Sequence, residues 1–211
     1  MDMRDARIFW NERAKVYDGQ VSGVYAEAYE KTAARTLKYL KPEDRVLEFA
    51  CGTGIVTLSV ADHVYHVQAI DISEEMACRA AEKVRQRGMT NVDVMQMDIF
   101  DPSLEPGSFD AVLAFNVLCY LDDFDRVVGR IRELLRPGGM FLSATDCLGQ
   151  GITAAGVKKL VKSRTGRMPY VAFFNMKGLE KRVTDCGFSV LERENLFDAP
   201  PNLFLAARKT E

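Results

Sequence analysis

The chain has 211 residues, of which 47% are hydrophobic and 27% charged, and these values are typical of one globular domain with a single core. No apolar run approaches the roughly 20 residues that a membrane-spanning helix needs, so we expect no membrane segment. The net charge of -2 gives none of the basic surplus with which nucleic-acid-binding proteins hold phosphates, which argues against a nucleic-acid partner.

Residues 1–40 are predicted to be helical and to form an N-terminal cap on the domain. The opening residues 1–5 are too polar for a signal peptide, so we expect a cytoplasmic protein. The segment is rich in aromatic side chains, namely Phe9, Trp10, Tyr17, Tyr25 and Tyr29. Such a cluster can cover a ligand pocket, and it can equally pack a helix onto a sheet.

A short buried strand followed by a glycine loop is the most informative pattern in the chain. Residues 46–49 form an apolar run, and apolar residues at helical spacing follow over 55–61. Between them, Gly52 and Gly54 can take backbone angles closed to other residues, and without a Cβ they let a ligand lie against the backbone. Turns after strands also use glycine for steric reasons alone, so the two glycines by themselves identify no site.

The next predicted strand adds a carboxylate near this loop. Residues 66–70 are predicted to be extended and lead to Asp71, nineteen positions after Gly52. A carboxylate in that place can accept hydrogen bonds from both hydroxyls of a ribose. Ser73 follows and has the chemistry of a helix N-cap.

Two further predicted strands also end on polar residues. Residues 91–97 are followed by Asp98, and residues 109–115 are followed by Asn116. The carboxyl ends of strands in an open parallel sheet line one crevice, which is where ligands bind. We therefore expect these two side chains and Asp71 to face a single cofactor site.

Two other nucleotide-binding loops fit the sequence poorly. The nicotinamide-binding fingerprint requires a third glycine three positions after the second, and Thr57 stands there. A Walker phosphate loop requires Gly-Lys-Ser or Gly-Lys-Thr after its glycines, and neither follows here.

Together these motifs resemble the class I S-adenosylmethionine-dependent methyltransferases, in the small-molecule branch that includes the ubiquinone and menaquinone biosynthesis enzymes. Residues 48–54, Glu-Phe-Ala-Cys-Gly-Thr-Gly, are similar to the family's acidic-x-Gly-x-Gly-x-Gly loop, with Ala50 in place of the first glycine. Residues 9–18 resemble its Phe-Trp-x-x-x-Ala-x-x-Tyr-Asp signature, and residues 134–139 resemble the turn that enters its fifth strand. The resemblance covers most of the chain.

The resemblance implies an α/β fold with three layers, in which helices cover both faces of a doubly wound, seven-stranded, mostly parallel sheet of order 3-2-1-4-5-7-6. It also implies a division of the single domain, residues 1–211, by role. After the N-terminal cap, residues 41–146 would form the cofactor-binding half. Residues 147–176 would form a substrate lid, and residues 177–211 a C-terminal helix and two strands.

The resemblance implies S-adenosyl-L-methionine as the cofactor and methyl transfer to a small molecule as the reaction. The residues that it assigns to the cofactor are Tyr17, Glu48, Ala50, Gly52, Gly54, Asp71, Ile72, Met76, Asp98, Ile99, Asn116 and Val117. The Asn-Pro-Pro-Tyr motif that would point to adenine or glutamine methylation is replaced by Asn-Val-Leu-Cys-Tyr at residues 116–120. The identity of the acceptor, its nucleophilic atom, and the choice between monomer and homodimer stay open.

Methyl transfer from a sulfonium needs little covalent help, so we expect catalysis mainly by proximity and orientation. Tyr17, and with it Tyr120, could stabilise the cationic sulfur through the faces of their rings. Asp146, after the fifth predicted strand, is the best-placed carboxylate for a general base, and it could equally cap a loop. Both histidines, His63 and His66, precede the second strand and so lie at the wrong edge of the sheet. Tyr17 and Asp146 are therefore the candidate catalytic residues.

The five cysteines are isolated along the chain and include no Cys-x-x-Cys pair, so we expect no metal centre. We expect them to be reduced and to fill apolar space, although Cys51 and Cys119 lie on the predicted ligand side and could be reactive.

Two other functions stay open. The domain could bind S-adenosylmethionine as a sensor or partner subunit without turnover, or, less favoured, it could be a nicotinamide-dependent oxidoreductase. The nearly complete set of cofactor positions favours the enzyme, because a degenerate regulatory copy would be expected to lose some of them.

Overall fold

Seven strands form one sheet in the computed structural model, which describes residues 3–151 and 154–211. The strands are β1 Arg45–Phe49, β2 His66–Asp71, β3 Val92–Gln96, β4 Phe109–Phe115, β5 Leu135–Asp146, β6 Phe188–Asp198 and β7 Pro201–Lys209. Their order across the sheet is β3-β2-β1-β4-β5-β7-β6. Strands β1 to β5 pair in parallel, and β7 is antiparallel to both of its neighbours. The predicted fold and strand order are confirmed.

Helices precede the sheet and alternate with its strands. They are α1 Met3–Gln20, α2 Ala26–Leu37, α3 Thr57–Val60, α4 Glu74–Gln86, α5 Phe124–Leu134, α6 Ala154–Arg164 and α7 Met176–Asp185. A π-helical turn, Val21–Tyr25, joins α1 to α2, and 3-10 turns occupy Ala61–His63 and Leu118–Tyr120. Within the described ranges, no helix combines the length and the hydropathy required to cross a membrane.

Strand β1 separates two hydrophobic layers. Leu47 packs on one face, in a cluster that includes Phe124 of α5. Val46 packs on the opposite face, in a second cluster with Leu58 of α3 and Ala80 of α4. Successive side chains of a strand point to opposite faces, so a central parallel strand covered by helices on both sides must be apolar almost throughout.

Side-chain caps fix where three of the helices begin. The side chains of Ser73, Asp123 and Asn175 each accept a hydrogen bond from the backbone N–H three residues later, at 3.2, 3.4 and 2.7 Å. Each cap satisfies an N–H group that has no partner inside its own helix. The N-cap role predicted for Ser73 is confirmed, and it sets the direction of α4 directly after β2.

The turn expected over residues 134–139 lies inside β5. Pairing between β4 and β5 shifts register between Phe109 and Ala111, and Gly138 has a φ of +71°. The glycine-rich segment therefore forms an irregular start to the strand, in the manner of a β-bulge.

The segment that follows β5 is packed tightly against residues farther along the chain. The backbone N–H of Gly149 donates to the carbonyl oxygen of Phe174 at 2.7 Å. A Cβ added at Gly149 would lie 2.4 Å from the carbonyl oxygen of Phe173, whereas one added at the exposed Gly151 would meet nothing within 4 Å. The close approach of two backbone segments thus requires glycine at position 149.

We predict that Gly149→Ala lowers the free energy of unfolding by about 1–3 kcal/mol, because overpacking against backbone cannot be relieved by a side-chain rotation. Gly151→Ala is the matched control in the same loop and should change it by less than about 0.5 kcal/mol. Urea denaturation followed by circular dichroism measures both values. Equal losses in the two variants would contradict the assigned backbone contact.

Candidate active site

The loop after β1 exposes its backbone. Ala50, Gly52 and Gly54 have φ angles of +55°, +56° and +77°. The left-handed conformation costs an alanine roughly 1–2 kcal/mol, so Ala50 holds this turn at some expense in stability. A Cβ added at Gly54 would lie 3.1 Å from the Cβ of Ala80 in α4, and one added at Gly52 would meet nothing within 4 Å. Gly54 therefore lets α4 approach the loop, and Gly52 leaves open space in front of it.

Asp71, at the end of β2, organises this loop. Its Oδ2 accepts a hydrogen bond from the backbone N–H of Gly52 at 2.9 Å, and its Oδ1 accepts one from the N–H of Ser73 at 2.8 Å. Burial raises the pKa of the Asp71 carboxyl, although both backbone hydrogen bonds oppose the shift. A carboxylate oxygen can accept more than one hydrogen bond, so both oxygens remain able to receive a ligand hydroxyl.

A cavity of about 540 Å³, here called the first cavity, opens in front of the loop and the strand ends. Its volume is within the range of about 300–1,000 Å³ that is typical of small-molecule sites. The predicted cofactor residues that line it are Tyr17, Ala50, Gly52, Asp71, Ile72, Met76, Asp98, Ile99, Asn116 and Val117. The fold thus gathers residues from α1, α4 and the ends of four parallel strands.

Glu48 and Gly54 lie behind the wall of the first cavity. The Glu48 side chain is buried and accepts a hydrogen bond from Oγ1 of Thr57 at 2.6 Å. Burial raises the pKa of Glu48 to about 8; the hydrogen bond from Thr57 opposes this shift, and the charge of Asp71 adds to it. Glu48 therefore supports the loop from within the core.

One end of the first cavity is formed by residues that follow β3. Asp98 lines it and accepts a hydrogen bond from the backbone N–H of Phe100 at 2.8 Å. The guanidinium of Arg126 lies 4.2 Å from the centre of the Phe100 ring. Ile72 and Ile99 supply apolar surface beside the carboxylate, so this end of the cavity can hold a flat ring with a polar edge.

Helix α1 covers the first cavity and is fixed to the loop and to α4. Asp18 accepts a hydrogen bond from Oγ1 of Thr53 at 2.5 Å and pairs with Nζ of Lys83 at 2.6 Å. Partial burial would raise the pKa of Asp18, but these two partners hold it below its usual value. Near the middle of the helix, Asn11 accepts a hydrogen bond from Oγ of Ser73 at 2.6 Å.

A second cavity of about 390 Å³ adjoins the first. The residues that line both cavities, here called the junction, are Trp10, Tyr17, Asn116 and Tyr120. The second cavity lies among α1, α2, α6 and the start of β7, and Asp146 lines it. The two candidate catalytic residues thus lie in different places, with Tyr17 at the junction and Asp146 beyond it.

Hydroxyl groups at the junction are held neutral. The hydroxyls of Tyr17 and Tyr29 are 2.9 Å apart, and Tyr29 also bonds to the side chain of Asn116. Burial raises the pKa of both tyrosines, that of Tyr17 well above its ordinary value. Asn116 has a φ of +54°, a left-handed conformation that turns the chain directly after β4.

The network continues from the junction to a partly buried ion pair. Nδ2 of Asn202 donates to Oδ1 of Asn116 at 2.8 Å and to Oδ1 of Asp146 at 2.9 Å. Oδ2 of Asp146 pairs with Nζ of Lys159 at 2.9 Å. Burial by itself lowers the pKa of Lys159, but the neighbouring Tyr120 and Asp146 raise it overall. Both oxygens of Asp146 are therefore engaged.

Sequence reasoning missed Tyr29, Lys159 and Asn202. Asn202 pairs with Asp146 in the β5–β7 register, so an antiparallel last strand brings its first residues to the edge where the parallel strands end. That topology is the one signal that could have identified Asn202. Lys159 belongs to a basic segment of α6 whose sequence is equally typical of a solvated helix face.

The remaining nucleophilic groups lie outside the chemistry of the cavities. His63 is exposed, and Nε2 of His66 bonds to Oδ2 of Asp93 at 3.0 Å at the opposite end of β2. Burial raises the pKa of the thiols of Cys51 and Cys119, the latter to about 12, so neither is a reactive thiolate. Over residues 3–151 and 154–211, no three His, Cys, Asp or Glu side chains are grouped to hold a metal ion.

Comparison with known proteins gives a consistent picture. The family model described as "Methyltransferase domain" matches residues 46–139. Nocamycin O-methyltransferase of Saccharothrix syringae is 34% identical over 133 residues, covering 59% of this chain and 47% of that protein. Demethylmenaquinone methyltransferase of Bacillus cytotoxicus is 26% identical over 132 residues, covering 61% of this chain and 55% of that protein. The chain thus spans about half the length of these curated relatives.

A solved structure extends the likeness to the whole fold. The DhpI–SAH complex superposes with a TM-score of 0.75 at 24% sequence identity, covering 98% of this chain and 96% of that one. The cap formed by α1 and α2 and the pair β6–β7 lie outside the family match at residues 46–139, so the shared fold is larger than the shared sequence.

We predict that the free energy of unfolding of Glu48→Gln, measured relative to that of the unchanged protein without ligand, is higher at pH 8 than at pH 4.5. Between the ordinary pKa of 4.5 and the folded-state pKa of about 8, the folded protein keeps a proton on Glu48 that the unfolded chain releases. The free energy of unfolding therefore falls as pH rises through this window, and glutamine removes that loss.

Denaturant unfolding at a series of pH values measures the difference between the two proteins. Glu43→Gln, at an exposed carboxyl in the loop before β1, is the matched control and should give no widening difference. A constant difference between the Glu48 variant and the unchanged protein would show that Glu48 is ionised in the folded state throughout.

Proposed function

Since the chain carries a class I S-adenosylmethionine-dependent methyltransferase domain, we propose that it transfers a methyl group from S-adenosylmethionine to a small-molecule acceptor. The observation that carries the proposal is the pair of adjoining cavities. One is lined by ten of the twelve residues predicted to bind the cofactor, and the other adjoins it at the junction. Two ligands can thus meet at one point inside the protein.

The volume and the lining of the first cavity support its assignment as the cofactor site. Asp71 would accept the ribose hydroxyls, and Asp98 would accept the exocyclic amine of the adenine, with Ile72 and Ile99 against the ring. The Gly52 backbone and Asn116 would hold the methionine part. When bound, S-adenosylmethionine supplies a methyl group on a positively charged sulfur. An electron pair of the acceptor would form the new bond to the methyl carbon. The electrons of the broken methyl–sulfur bond would stay on sulfur, which becomes a neutral thioether.

The protein contributes mainly by orienting and enclosing the reactants. Bringing two reactants together in line can lower the barrier by about 7–11 kcal/mol, through entropy already lost on binding. Trp10 packs edge-on against the rings of Tyr17 and Tyr120, at centroid distances of 6.4 and 5.3 Å, which fixes the width of the junction. A cation beside such rings gains about 0.5–2 kcal/mol, so Tyr17 would favour the charged donor.

Neither of the two candidate catalytic residues is free to act as a strong base. The hydroxyls of Tyr17 and Tyr29 are bonded to each other, and Asp146 is engaged by Lys159 and Asn202. We infer that the acceptor brings its own electron pair, as an ionised oxygen or an uncharged amine. Any proton that it carries leaves to water after transfer, and Asp146 acts as a positioning residue.

The segment 147–176 supplies part of both cavities and would act as the substrate lid. Pro169 and Tyr170 line the first cavity, whereas Lys158 and Met168 line the second. Leu148, Met168 and Val171 form a small hydrophobic cluster of their own, separate from the two layers that cover the sheet. Cys147, Ala172 and Phe174 of the same segment belong to the core on one face of the sheet, so an opening that admits substrates would have to leave these three residues in place.

We predict that Asp71→Ala weakens binding of S-adenosylmethionine at least about tenfold, because hydrogen bonds to a charged group contribute about 1.5–3 kcal/mol each. Isothermal titration calorimetry measures the affinity, with NAD as a control ligand that should not bind. Asp93→Ala is the matched control, since Asp93 is an exposed carboxylate on the neighbouring strand β3 and lines neither cavity.

The result of this titration distinguishes a protein that binds the proposed cofactor from one that has only the fold. Binding of S-adenosylmethionine that Asp71→Ala abolishes and Asp93→Ala preserves supports the assignment. A protein that binds neither the donor nor its demethylated product would retain the fold without the activity.

We predict that Asp146→Asn slows methyl transfer by less than about a hundredfold, whereas loss of a general base costs about a hundredfold to ten-thousandfold. Asparagine keeps an oxygen for Asn202 but loses the ion pair with Lys159. Initial rates are compared for transfer of a labelled methyl group into one fraction of a metabolite extract, with cofactor affinity checked by calorimetry. A loss beyond about a thousandfold at unchanged cofactor affinity would make Asp146 the base.

A further inference from the structure

We propose that the second cavity binds an acceptor with a negatively charged group, a carboxylate or a phosphate, on an aromatic or apolar body. This inference rests on the proposed function, because it treats the second cavity as the acceptor site. The lining contains four cationic side chains, Arg13, Lys158, Lys159 and Lys162, and one carboxylate, Asp146. The chain as a whole carries a net charge of -2, so this concentration of positive charge is local.

Most of this positive charge has no counter-charge. Lys159 is neutralised by its ion pair with Asp146. Arg13 donates to the uncharged Oε1 of Gln20 at 2.8 Å and lies over the ring of Phe9. Among the residues that the structure describes, Lys158 and Lys162 form no ion pair. Three cations thus face a cavity in which a ligand anion would be their partner.

The lysines of α6 line the second cavity, and the valines of the same helix do not. Val157 and Val161 are 49% and 55% exposed to solvent, whereas Lys158, Lys159 and Lys162 line the cavity. A helix that packs for stability alone turns its apolar residues inward and its charges outward. Here Lys158 and Lys162 are exposed and still line the cavity, whereas the exposed valines do not line it, so the solvated charges of this helix are concentrated where a ligand could reach them.

The other side chains that line the second cavity favour a ligand with a flat apolar part. Side chains around the space include Phe9, Trp10, Tyr25 and Phe197, and the rings of Tyr25 and Phe197 lie 5.2 Å apart. The junction lies on one side of the cavity and the lysines of α6 on another. An acceptor that spans the cavity would place its anion at the lysines and its nucleophile at the junction.

The charge of the ligand can be tested with simple probes. Phenyl phosphate and benzoate carry the proposed anions, and benzyl alcohol is their neutral counterpart. Each is titrated by calorimetry into protein loaded with S-adenosylhomocysteine. The variant Lys158→Gln/Lys162→Gln removes two cavity charges, and Lys41→Gln/Lys177→Gln removes two exposed charges elsewhere as the matched control. Both double variants change only exposed side chains, and thermal unfolding verifies that each is folded.

We expect at least one anionic probe to bind more tightly than benzyl alcohol. Its affinity should fall at least about tenfold in the cavity variant, stay unchanged in the control variant and weaken as salt rises from about 0.05 to about 0.5 M. The proposal would be overturned if benzyl alcohol bound as tightly as the anionic probes, or if the cavity variant bound these probes as tightly as the unchanged protein. It would also be overturned if no probe bound.

Vesicles of phosphatidylcholine and phosphatidic acid present the same anionic charge on a lipid surface. Binding to these vesicles that the cavity variant loses, and that phenyl phosphate fails to compete, would assign the lysines to a membrane and overturn the acceptor site.

Titration of S-adenosylmethionine in parallel distinguishes failure of the anion site from failure of the proposed function. If S-adenosylmethionine binds while the anionic probes do not, the methyltransferase proposal stands and the anion site fails. If the probes bind to a protein that does not bind S-adenosylmethionine, methyl transfer fails and the anion site stands.

Discussion

The carboxylate of Asp71 is the interaction on which the rest of the site depends. One oxygen accepts the N–H of Gly52 in the loop after β1, and the other accepts the N–H of Ser73 at the start of α4. Ser73 in turn caps α4 and donates to Asn11 in α1. A single side chain thus joins two strand ends, one helix start and, through Ser73, the helix that covers the first cavity. The backbone geometry that would receive a ligand is set before the ligand arrives.

This arrangement places two acidic groups, Asp71 and Glu48, in a poorly solvated region. Burial raises the pKa of both, and the charge of Asp71 raises that of Glu48 further. A tenfold change in an acid dissociation constant corresponds to about 1.4 kcal/mol, so the loop is held at a measurable cost in stability near neutral pH. A ligand that donates hydroxyls to Asp71 would stabilise its charged form and recover part of that cost. Local strain at Ala50 and Asn116 belongs to the same pattern, in which a site is less stable than the core that supports it.

The sequence predicted the sheet order correctly, and residues that it named for the cofactor lie together in the first cavity, because both features follow from local signals. An apolar run that ends on a polar residue marks the carboxyl end of a parallel strand, and this rule found Asp71, Asp98 and Asn116. The second cavity has no such signal. Tyr29 and Lys159, on α2 and α6, meet residues of other elements only after the sheet has formed, and nothing in their local sequence distinguishes them from packing or solvated residues. The residues of the second cavity are brought together by the topology of the fold, which the periodicity of the sequence does not show.

The two cavities differ in charge as well as in shape. The first is lined by four aspartates, Asp71, Asp98, Asp122 and Asp123, and by one cation, Arg126, whereas cations outnumber the single carboxylate of the second. Under the proposed function, a donor with a positively charged sulfur would be favoured on the acidic side, and an anionic acceptor would be favoured on the basic side. Their opposite charges would attract across the junction. With an ionised oxygen as the nucleophile, transfer would neutralise both the sulfur and the reacting oxygen, so the products would lose that attraction and would be released more readily. The charge separation would therefore assist both the encounter of the substrates and the departure of the products.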